Sequence, residues 1–266
     1  MIRFFDGGMG SMLNLAAGEL PEKLNISEPE RVFAVHKGYA DAGAEFITAN
    51  TFGANSLKYD NVDELVKAGV ALAKKAGKYV ALDIGPTGKL LKPMGDLEFE
   101  KAVELFAEVV RAGKDGSDVA IIETMSDMYE LKAAVIAVKE NSDLPVITSM
   151  IFDESGRLLT GGDVKSAVAM LEGLRVDAIG FNCGLGPKQM IPLVKQLREC
   201  TSLPILVMPN AGLPESVDGK TVYNVSPDEF AQDMREIAKL GVSILGGCCG
   251  TTPKHIAKMI ELCKDI

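Results

Sequence analysis

Histidine is nearly absent from this chain. Only His36 and His255 occur among 266 residues, so histidine-rich metal sites are excluded and no His-Glu-x-x-His is present. His36 falls inside one helical pattern and His255 in the first turn of another, so both read as structural or surface residues. A Gly-x-Ser-x-Gly elbow and a glycine-rich phosphate loop before Lys-Ser/Thr are missing as well. Basic charge is short: 28 Lys and Arg stand against 37 Asp and Glu, a net charge of −9. That balance argues against nucleic acid or an anionic membrane surface as the partner. No apolar run reaches membrane-spanning length, and the N-terminal stretch lacks the charged, apolar and small-residue layout of a signal peptide. A cytoplasmic location is therefore expected. Five cysteines are too few for a disulfide scaffold in a chain this long. In a reducing compartment, clustered cysteines more often bind metal or react.

What the chain does have is a repeated grammar. A short apolar strand, a loop containing Gly, Asn, Asp or Pro, and an amphipathic helix recur eight times. The strands read as Arg3–Phe5, Glu45–Thr48, Tyr79–Leu82, Val119–Ile122, Pro145–Ile151, Ala178–Phe181, Ile205–Met208 and Val242–Leu245. Helices are expected over about Pro29–Ala42, Val62–Lys75, Glu98–Asp115, Met128–Glu140, Val164–Leu171, Pro187–Glu199, Pro227–Leu240 and Pro253–Lys264. Leu13–Leu24 is less regular, and a long loop precedes Ser226. The strands show little alternation, as expected when both faces are buried. Strands alternating with helices imply a parallel sheet with right-handed crossovers. Eight units without a Pro/Ser-rich linker favour a single-domain (β/α)8 TIM barrel over residues 1–266, with a doubly wound open sheet as the alternative.

In such a barrel, chemistry sits where strands end and the following loops begin. The polar residues at those ends are Asp6, Asn50, Asp83, Glu123, Asp153, Asn182 with Cys183, Asn210, and Cys248 with Cys249. Any one of them could simply bond loop backbone; their convergence on one rim points to a ligand. Asp6-Gly7-Gly8-Met9-Gly10 lacks the Gly-x-Gly-x-x-Gly spacing of a dinucleotide loop, and its backbone N–H groups suit a carboxylate.

The stretch Val242–Pro253 concentrates the signal. A buried strand empties into Gly246-Gly247-Cys248-Cys249-Gly250, and Thr252-Pro253 then cap and open a helix. Two thiols are thus presented at one strand end and Cys183 at another, one strand away. Three thiolates leave a tetrahedral zinc ion one open position, suited to a substrate thiol. Packing cysteines, or a vicinal redox pair at Cys248 and Cys249, are the alternatives on residue type alone. Cys200, following a helix, and Cys263, on the last helix, read as packing residues.

Gly246-Gly247-Cys248-Cys249-Gly250-Thr251-Thr252-Pro253 resembles the signature of the zinc-dependent homocysteine S-methyltransferase family. So do Asp6–Gly10, Asn50-Thr51-Phe52-Gly53, Asp83-Ile84-Gly85-Pro86-Thr87-Gly88, Glu123-Thr124, Phe152-Asp153-Glu154, Asn182-Cys183 and Met208–Gly212, in order along the chain. Asp83–Gly88 and Gly219-Lys220-Thr221-Val222-Tyr223 are most similar to the homocysteine-binding barrel of cobalamin-dependent methionine synthase. The resemblance implies one Zn²⁺ per chain on Cys183, Cys248 and Cys249, with homocysteine sulfur as fourth ligand. It implies that Asp6 and Glu123 meet the substrate ammonium and that backbone around Gly7, Gly8 and Gly10 meets its carboxylate. Asn182 and Asn210 are expected to line the pocket. The product would be methionine. No cobalamin-binding Asp-x-His-x-x-Gly is present, so no corrinoid is expected on this chain itself. The methyl donor is then expected to be a separate methyl-corrinoid protein, with S-methylmethionine or another small methyl compound as the alternative. A chain ending at Ile266 is also compatible with a piece of a longer synthase, or with a non-catalytic zinc- and thiol-binding module that docks a partner.

Overall fold

The computed structural model describes residues 1–15, 18–217 and 220–266; Gly219 of the Gly219–Tyr223 motif lies outside them. Ten strands are described: β1 Arg3–Phe4, β2 Phe46–Thr48, β3 Tyr79–Ile84, β4 Val119–Met125, β5 Val146–Met150, β6 Ala178–Asn182, β7 Ile205–Met208, β8 Glu215–Val217, β9 Lys220–Val222 and β10 Ile244–Leu245. Eight of them form one sheet in the order β1-β10-β7-β6-β5-β4-β3-β2, every pair parallel. A parallel bridge from Phe5 to Phe46 and a bond from Glu45 N–H to Phe4 O (2.8 Å) join the two ends. The sheet is therefore a (β/α)8 barrel, not the open doubly wound alternative.

The helices are α1 Met9–Leu13, α2 Leu24–Ser27, α3 Pro29–Asp41, α4 Val62–Ala76, α5 Phe99–Gly113, α6 Met128–Asn141, α7 Val164–Gly173, α8 Pro187–Cys200, α9 Pro227–Ala238 and α10 Pro253–Cys263. Their starts are written into the sequence. Asp127 accepts from Glu130 N–H. Asp163 with Ser166 and Ser226 with Glu229 form reciprocal capping boxes, and proline opens α3, α8, α9 and α10. Such caps satisfy N–H groups that a helix leaves without partners. No helix among the described residues is long and apolar enough to cross a membrane.

Two apolar layers explain the weak alternation of the strands. One fills the barrel and includes Phe5, Ala81, Val119, Ile121, Ile147, Ala178, Leu206, Met208 and Ile244. The other packs the outer strand faces against the helices, with Val80, Leu82, Ala120, Ile122, Ile179 and Val207 among its buried members. Each fully buried aliphatic side chain contributes about 1.5–3 kcal/mol relative to exposure. Gly180 is required where β6 meets β7: a Cβ there would lie 2.0 Å from Leu206 O.

The inward-facing positions change character along each strand. With a period of two residues, the apolar column Ala81 is followed by Asp83, Ile121 by Glu123, Ile147 by Ser149, and Ala178 and Gly180 by Asn182. The barrel is thus plugged with hydrocarbon at one end and carries carboxylates and amides at the other. Strands three and four run further than expected, to Ile84 and Met125, so Asp83 and Glu123 belong to strands and not to loops. The loop before Ser226 contains the β8–β9 antiparallel hairpin. The irregular region after β1 contributes the short helices α1 and α2 and a 3-10 turn at Pro21–Lys23.

Candidate functional site

The three strand-end thiols meet at the C-terminal rim of the barrel. Cys183 follows β6 with φ of 58°, and Gly184 after it has φ of 69°. A non-glycine residue held in the left-handed region costs about 1–3 kcal/mol, and such strain collects at functional sites. The conformation is fixed from both sides: Cys183 N–H donates to Met208 O (3.1 Å), and Leu185 N–H to Cys183 O (2.7 Å).

The Gly246–Gly250 turn is sewn to its neighbours by backbone. Gly247 N–H donates to Asp6 O (2.9 Å), Cys248 N–H to Pro209 O (2.8 Å), and Ala211 N–H to Cys249 O (2.9 Å). Thr251 Oγ1 donates to Cys248 O (2.7 Å) and accepts from Gly8 N–H (3.1 Å). Gly250 has φ of 78°, and a Cβ there would lie 2.3 Å from Tyr223 Cγ. The hairpin thereby brings Tyr223 over the turn, against Gly250.

The sulfurs of Cys183, Cys248 and Cys249 all lie within 4.8 Å of one another, with Cys183 and Cys249 at 3.9 Å. Zinc–sulfur bonds of about 2.3 Å require sulfur–sulfur edges of about 3.8 Å in a tetrahedron, so this donor set fits zinc with small side-chain adjustments. Hydrogen bonds from Cys183 and Cys248 pull the Cys249 thiol down, and the same cluster pushes Cys248 up. Three thiols held this close are the donor set that zinc takes up as thiolates. Asn210 adds a second sign. It follows β7, which lies between β6 and β10, and its buried Oδ1 has no hydrogen-bond partner among the described residues.

Beside the thiols lies a cavity of about 240 Å³ whose lining includes Asp6, Glu22, Asp83, Glu123, Phe52 and the three cysteines. No lysine, arginine or histidine lines it among the described residues. Asp6 is held by both donors of Thr48, whose N–H reaches Oδ2 (2.9 Å) and whose Oγ1 reaches Oδ1 (2.7 Å). Burial nevertheless pushes the Asp6 carboxyl up to about 7. Glu123 rises to about 8, through burial first and then the charges of Asp6 and Cys249. Buried carboxylates without a counter-cation resist ionisation, so the cavity is an acidic pocket prepared for a cationic group.

Asn182 organises the wall between carboxylate and thiols. Its Oδ1 accepts from Thr124 N–H (2.9 Å) and Ser149 Oγ (2.8 Å). Its Nδ2 donates to Thr124 Oγ1 (2.7 Å), Glu123 Oε2 (3.4 Å) and Cys248 Sγ (3.8 Å). Thr124 has φ of 63°, at the irregularity in β4 between Ile122 and Met125.

The sequence-expected residues therefore fall into groups. Asp6, Gly7, Gly8, Glu123, Cys183, Cys248 and Cys249 line the cavity. Asn182 and Asn210 do not line it, because the barrel tucks both amides behind its wall. The Gly8 N–H is already bonded to Thr251, which leaves the backbone of Gly7 and of the first turn of α1 beside the cavity. Asn50 touches the cavity, yet its side chain is engaged by Pro21 O and Asn25 Oδ1. Asp153 departs from the rim altogether. It is exposed and bonds its own loop at Ser155 and Arg157. His255 completes the α10 cap and contacts Val225 O (3.0 Å), and His36 is fully buried. Cys200 ends α8, and Cys263 is buried in α10. Glu22 is a residue that sequence reasoning missed. It accepts from Gly53 N–H (2.6 Å) and Tyr59 OH (2.5 Å), and Pro21 opening a turn is its sole local signal.

The chain is similar to known proteins along nearly its whole length. The family model described as "Homocysteine S-methyltransferase" matches residues 3–263. The methionine synthase of Mycobacterium leprae (strain TN) is 32% identical over 294 residues, covering 98% of this chain and 24% of that protein. The methionine synthase of Mycobacterium tuberculosis (strain ATCC 25618 / H37Rv) is 32% identical over 292 residues, with the same coverage of 98% and 24%. The chain thus spans about a quarter of the length of these relatives. The metallated form of the homocysteine methyltransferase MmuM from Escherichia coli superposes with a TM-score of 0.82 at 23% identity, covering 97% of this chain and 95% of that one.

Proposed function

The chain belongs to the homocysteine S-methyltransferase family, and from that premise we propose that it is a zinc-dependent homocysteine-binding barrel that methylates homocysteine to methionine. The observation that carries the reading is the convergence of three strand-end thiols beside a buried acidic cavity.

In this reading Cys183, Cys248 and Cys249 hold one zinc ion. Zinc, when bound, supplies a Lewis acid that keeps the acceptor sulfur deprotonated at neutral pH. The rest of the work falls to the chain's own groups. Asp6 and Glu123 accept hydrogen bonds from the substrate ammonium, which restores their ionisation. Thr48 fixes the Asp6 carboxylate from two directions, and Asn182 orients Glu123 while tying it to the Cys248 side of the site. The backbone of Gly7 and of the first turn of α1, beside the cavity, receives the substrate carboxylate. Two ionic anchors and a sulfur position leave the substrate little freedom, which is the positioning that a methyl transfer requires.

The methyl group comes, in this proposal, from a methyl-corrinoid protein supplied in trans, as the resemblance to the barrel of cobalamin-dependent methionine synthase implies. One observation favours a second reading: a cavity rich in carboxylates and flanked by the Phe52 ring also suits a small cationic donor such as S-methylmethionine.

The test is a zinc determination on protein purified without chelator, followed by a donor screen with homocysteine. Methylcobalamin, a methyl-corrinoid protein, S-methylmethionine and betaine are compared. About one zinc per chain and methionine formation with at least one donor are expected. Zinc that is neither present nor restored on addition would overturn the proposal. Binding of zinc and homocysteine without transfer from any donor would assign the chain a docking role instead.

A further inference from the structure

Tyr39 has no part in the reading above, yet its hydroxyl touches both halves of the site. It belongs to α3, in the outer helical layer, and is fully buried. The hydroxyl lies 2.9 Å from Thr251 O and 3.2 Å from Gly8 O, and its one proton serves these two carbonyls. Thr251 directly follows the turn that carries Cys248 and Cys249, whereas Gly8 lies in the loop between β1 and α1 that lines the cavity. Thr251 spans the same gap with its side chain: Oγ1 donates to Cys248 O (2.7 Å) and accepts from Gly8 N–H (3.1 Å). Two loops 243 positions apart are thereby joined by two hydroxyl groups.

The junction is filled to contact. A Cβ on Gly7 would lie 2.5 Å from Thr251 Oγ1 and 2.9 Å from the Tyr39 hydroxyl oxygen, so the loop has no room to move towards the turn. Movement away breaks hydrogen bonds at Tyr39 and Thr251, both fully buried, where a polar group that loses its partner is costly. Neither side chain lines the cavity among the described residues; both act from behind its wall.

We propose that Tyr39 and Thr251 form a clasp that fixes the separation between the metal turn and the β1–α1 loop, making them positioning residues for an acceptor held at both. The proposal rests on the proposed function, in which the turn holds the acceptor sulfur through zinc and the loop receives its carboxylate. An acceptor spanning two anchors is held productively only where their separation matches its length, and an error of about 1 Å can cost about a hundredfold in rate. A ligand that uses the sulfur position alone is indifferent to that separation. The clasp thus acts on two-point binding and leaves the three thiols in place.

The experiment compares zinc-loaded wild type with Tyr39→Phe and Thr251→Val, which remove the hydroxyls and keep the bulk, and with Thr251→Ser, which keeps the hydroxyl. Homocysteine is titrated by calorimetry. 1-Propanethiol, which offers sulfur without a carboxylate, is measured by competition against it. Tyr39→Phe and Thr251→Val should each lose about fivefold or more in homocysteine affinity, the worth of one hydrogen bond. Propanethiol affinity should stay within about twofold of wild type, zinc content should stay at that of wild type, and Thr251→Ser should bind homocysteine as wild type does. Should Thr251→Val fail to fold, Tyr39→Phe, which removes a single oxygen atom, carries the test. Equal losses for both ligands, or wild-type homocysteine affinity in Tyr39→Phe, would overturn the proposal. Failure of the wild-type protein to bind homocysteine would instead overturn the functional reading on which it rests.

Discussion

Cys183 Sγ lies 3.9 Å from Cys249 Sγ, although the two residues are 66 positions apart. The strand order explains the meeting. β6 and β10 both flank β7, and parallel strands bring their C-terminal ends to one rim. Cys183 then adopts a left-handed backbone, and Cys249 is fixed through its carbonyl by Ala211 N–H (2.9 Å). The thiol cluster is thus a product of topology and two local backbone devices.

Replacing any one of these thiols leaves a two-sulfur site. Cys183→Ser, Cys248→Ser and Cys249→Ser should each lose most of the bound zinc and the methyl-transfer activity together, while Cys200→Ser keeps both. Elemental analysis after dialysis, paired with a methionine-formation assay, checks this. A serine variant with full zinc and full activity contradicts the ligand assignment.

Asn182 satisfies donors that have no water to turn to. Asn182→Ala strips the acceptor from Thr124 N–H and Ser149 Oγ. It should destabilise the fold by about 2–3 kcal/mol, the cost of buried groups left unpaired. It should also weaken homocysteine binding by freeing Glu123. Urea unfolding measures the first effect; a variant as stable as wild type would show that the network is dispensable.

His36 provides a pH test with a defined sign. It is fully buried, neither ring nitrogen has a partner among the described residues, and burial lowers its pKa to about 4 from the ordinary 6.5. The unfolded chain therefore binds a proton that the folded chain refuses. His36 costs stability progressively as pH falls from about 6.5 to 4, and costs nothing above that window. The stability difference between His36→Leu and wild type should shift in favour of the variant on acidification, by up to about 3 kcal/mol at pH 4. Denaturant titrations at pH 7.5, 6, 5 and 4 measure it. A difference that stays constant with pH contradicts a buried neutral histidine.

Gly250 has no room for a side chain. With φ of 78° and Tyr223 Cγ at 2.3 Å from a built Cβ, Gly250→Ala should cost about 1–3 kcal/mol and weaken zinc binding by displacing the adjoining Cys249. Adding Tyr223→Gly should restore part of the loss, because it removes both Tyr223 Cγ and Tyr223 Cβ, which lies 2.5 Å from the built Cβ. Zinc affinity measured by chelator competition distinguishes this from strain alone, which the second substitution would leave uncorrected.

Much of the fold was legible because barrel strands advertise themselves as short apolar runs between capped helices. The eight barrel strands and the eight main helices match the sequence reading to within a few residues at their ends. The β8–β9 hairpin escaped notice because strands of three residues are too short to establish a period. At the site, an acid following an apolar run identified Asp6, Asp83 and Glu123, and the same signal misplaced Asp153. The difference is tertiary: Asp83 and Glu123 continue inward-facing columns, whereas Asp153 lies beyond the end of β5 and caps its own loop. The left-handed backbone of Cys183 had no signal, since a non-glycine residue adopts it only when surrounding contacts impose it. Glu22 was hidden for a related reason: its partners, Gly53 and Tyr59, belong to a loop that only the closed barrel brings near.

The central claim is that three cysteines hold a zinc ion whose remaining position accepts the substrate sulfur. X-ray absorption at the zinc edge tests it most directly, with selenohomocysteine as the acceptor. The account predicts three sulfur neighbours at about 2.3 Å without substrate, and the appearance of a zinc–selenium neighbour once selenohomocysteine is added. A first shell with fewer than three sulfurs, or one that selenohomocysteine leaves unchanged, would contradict it.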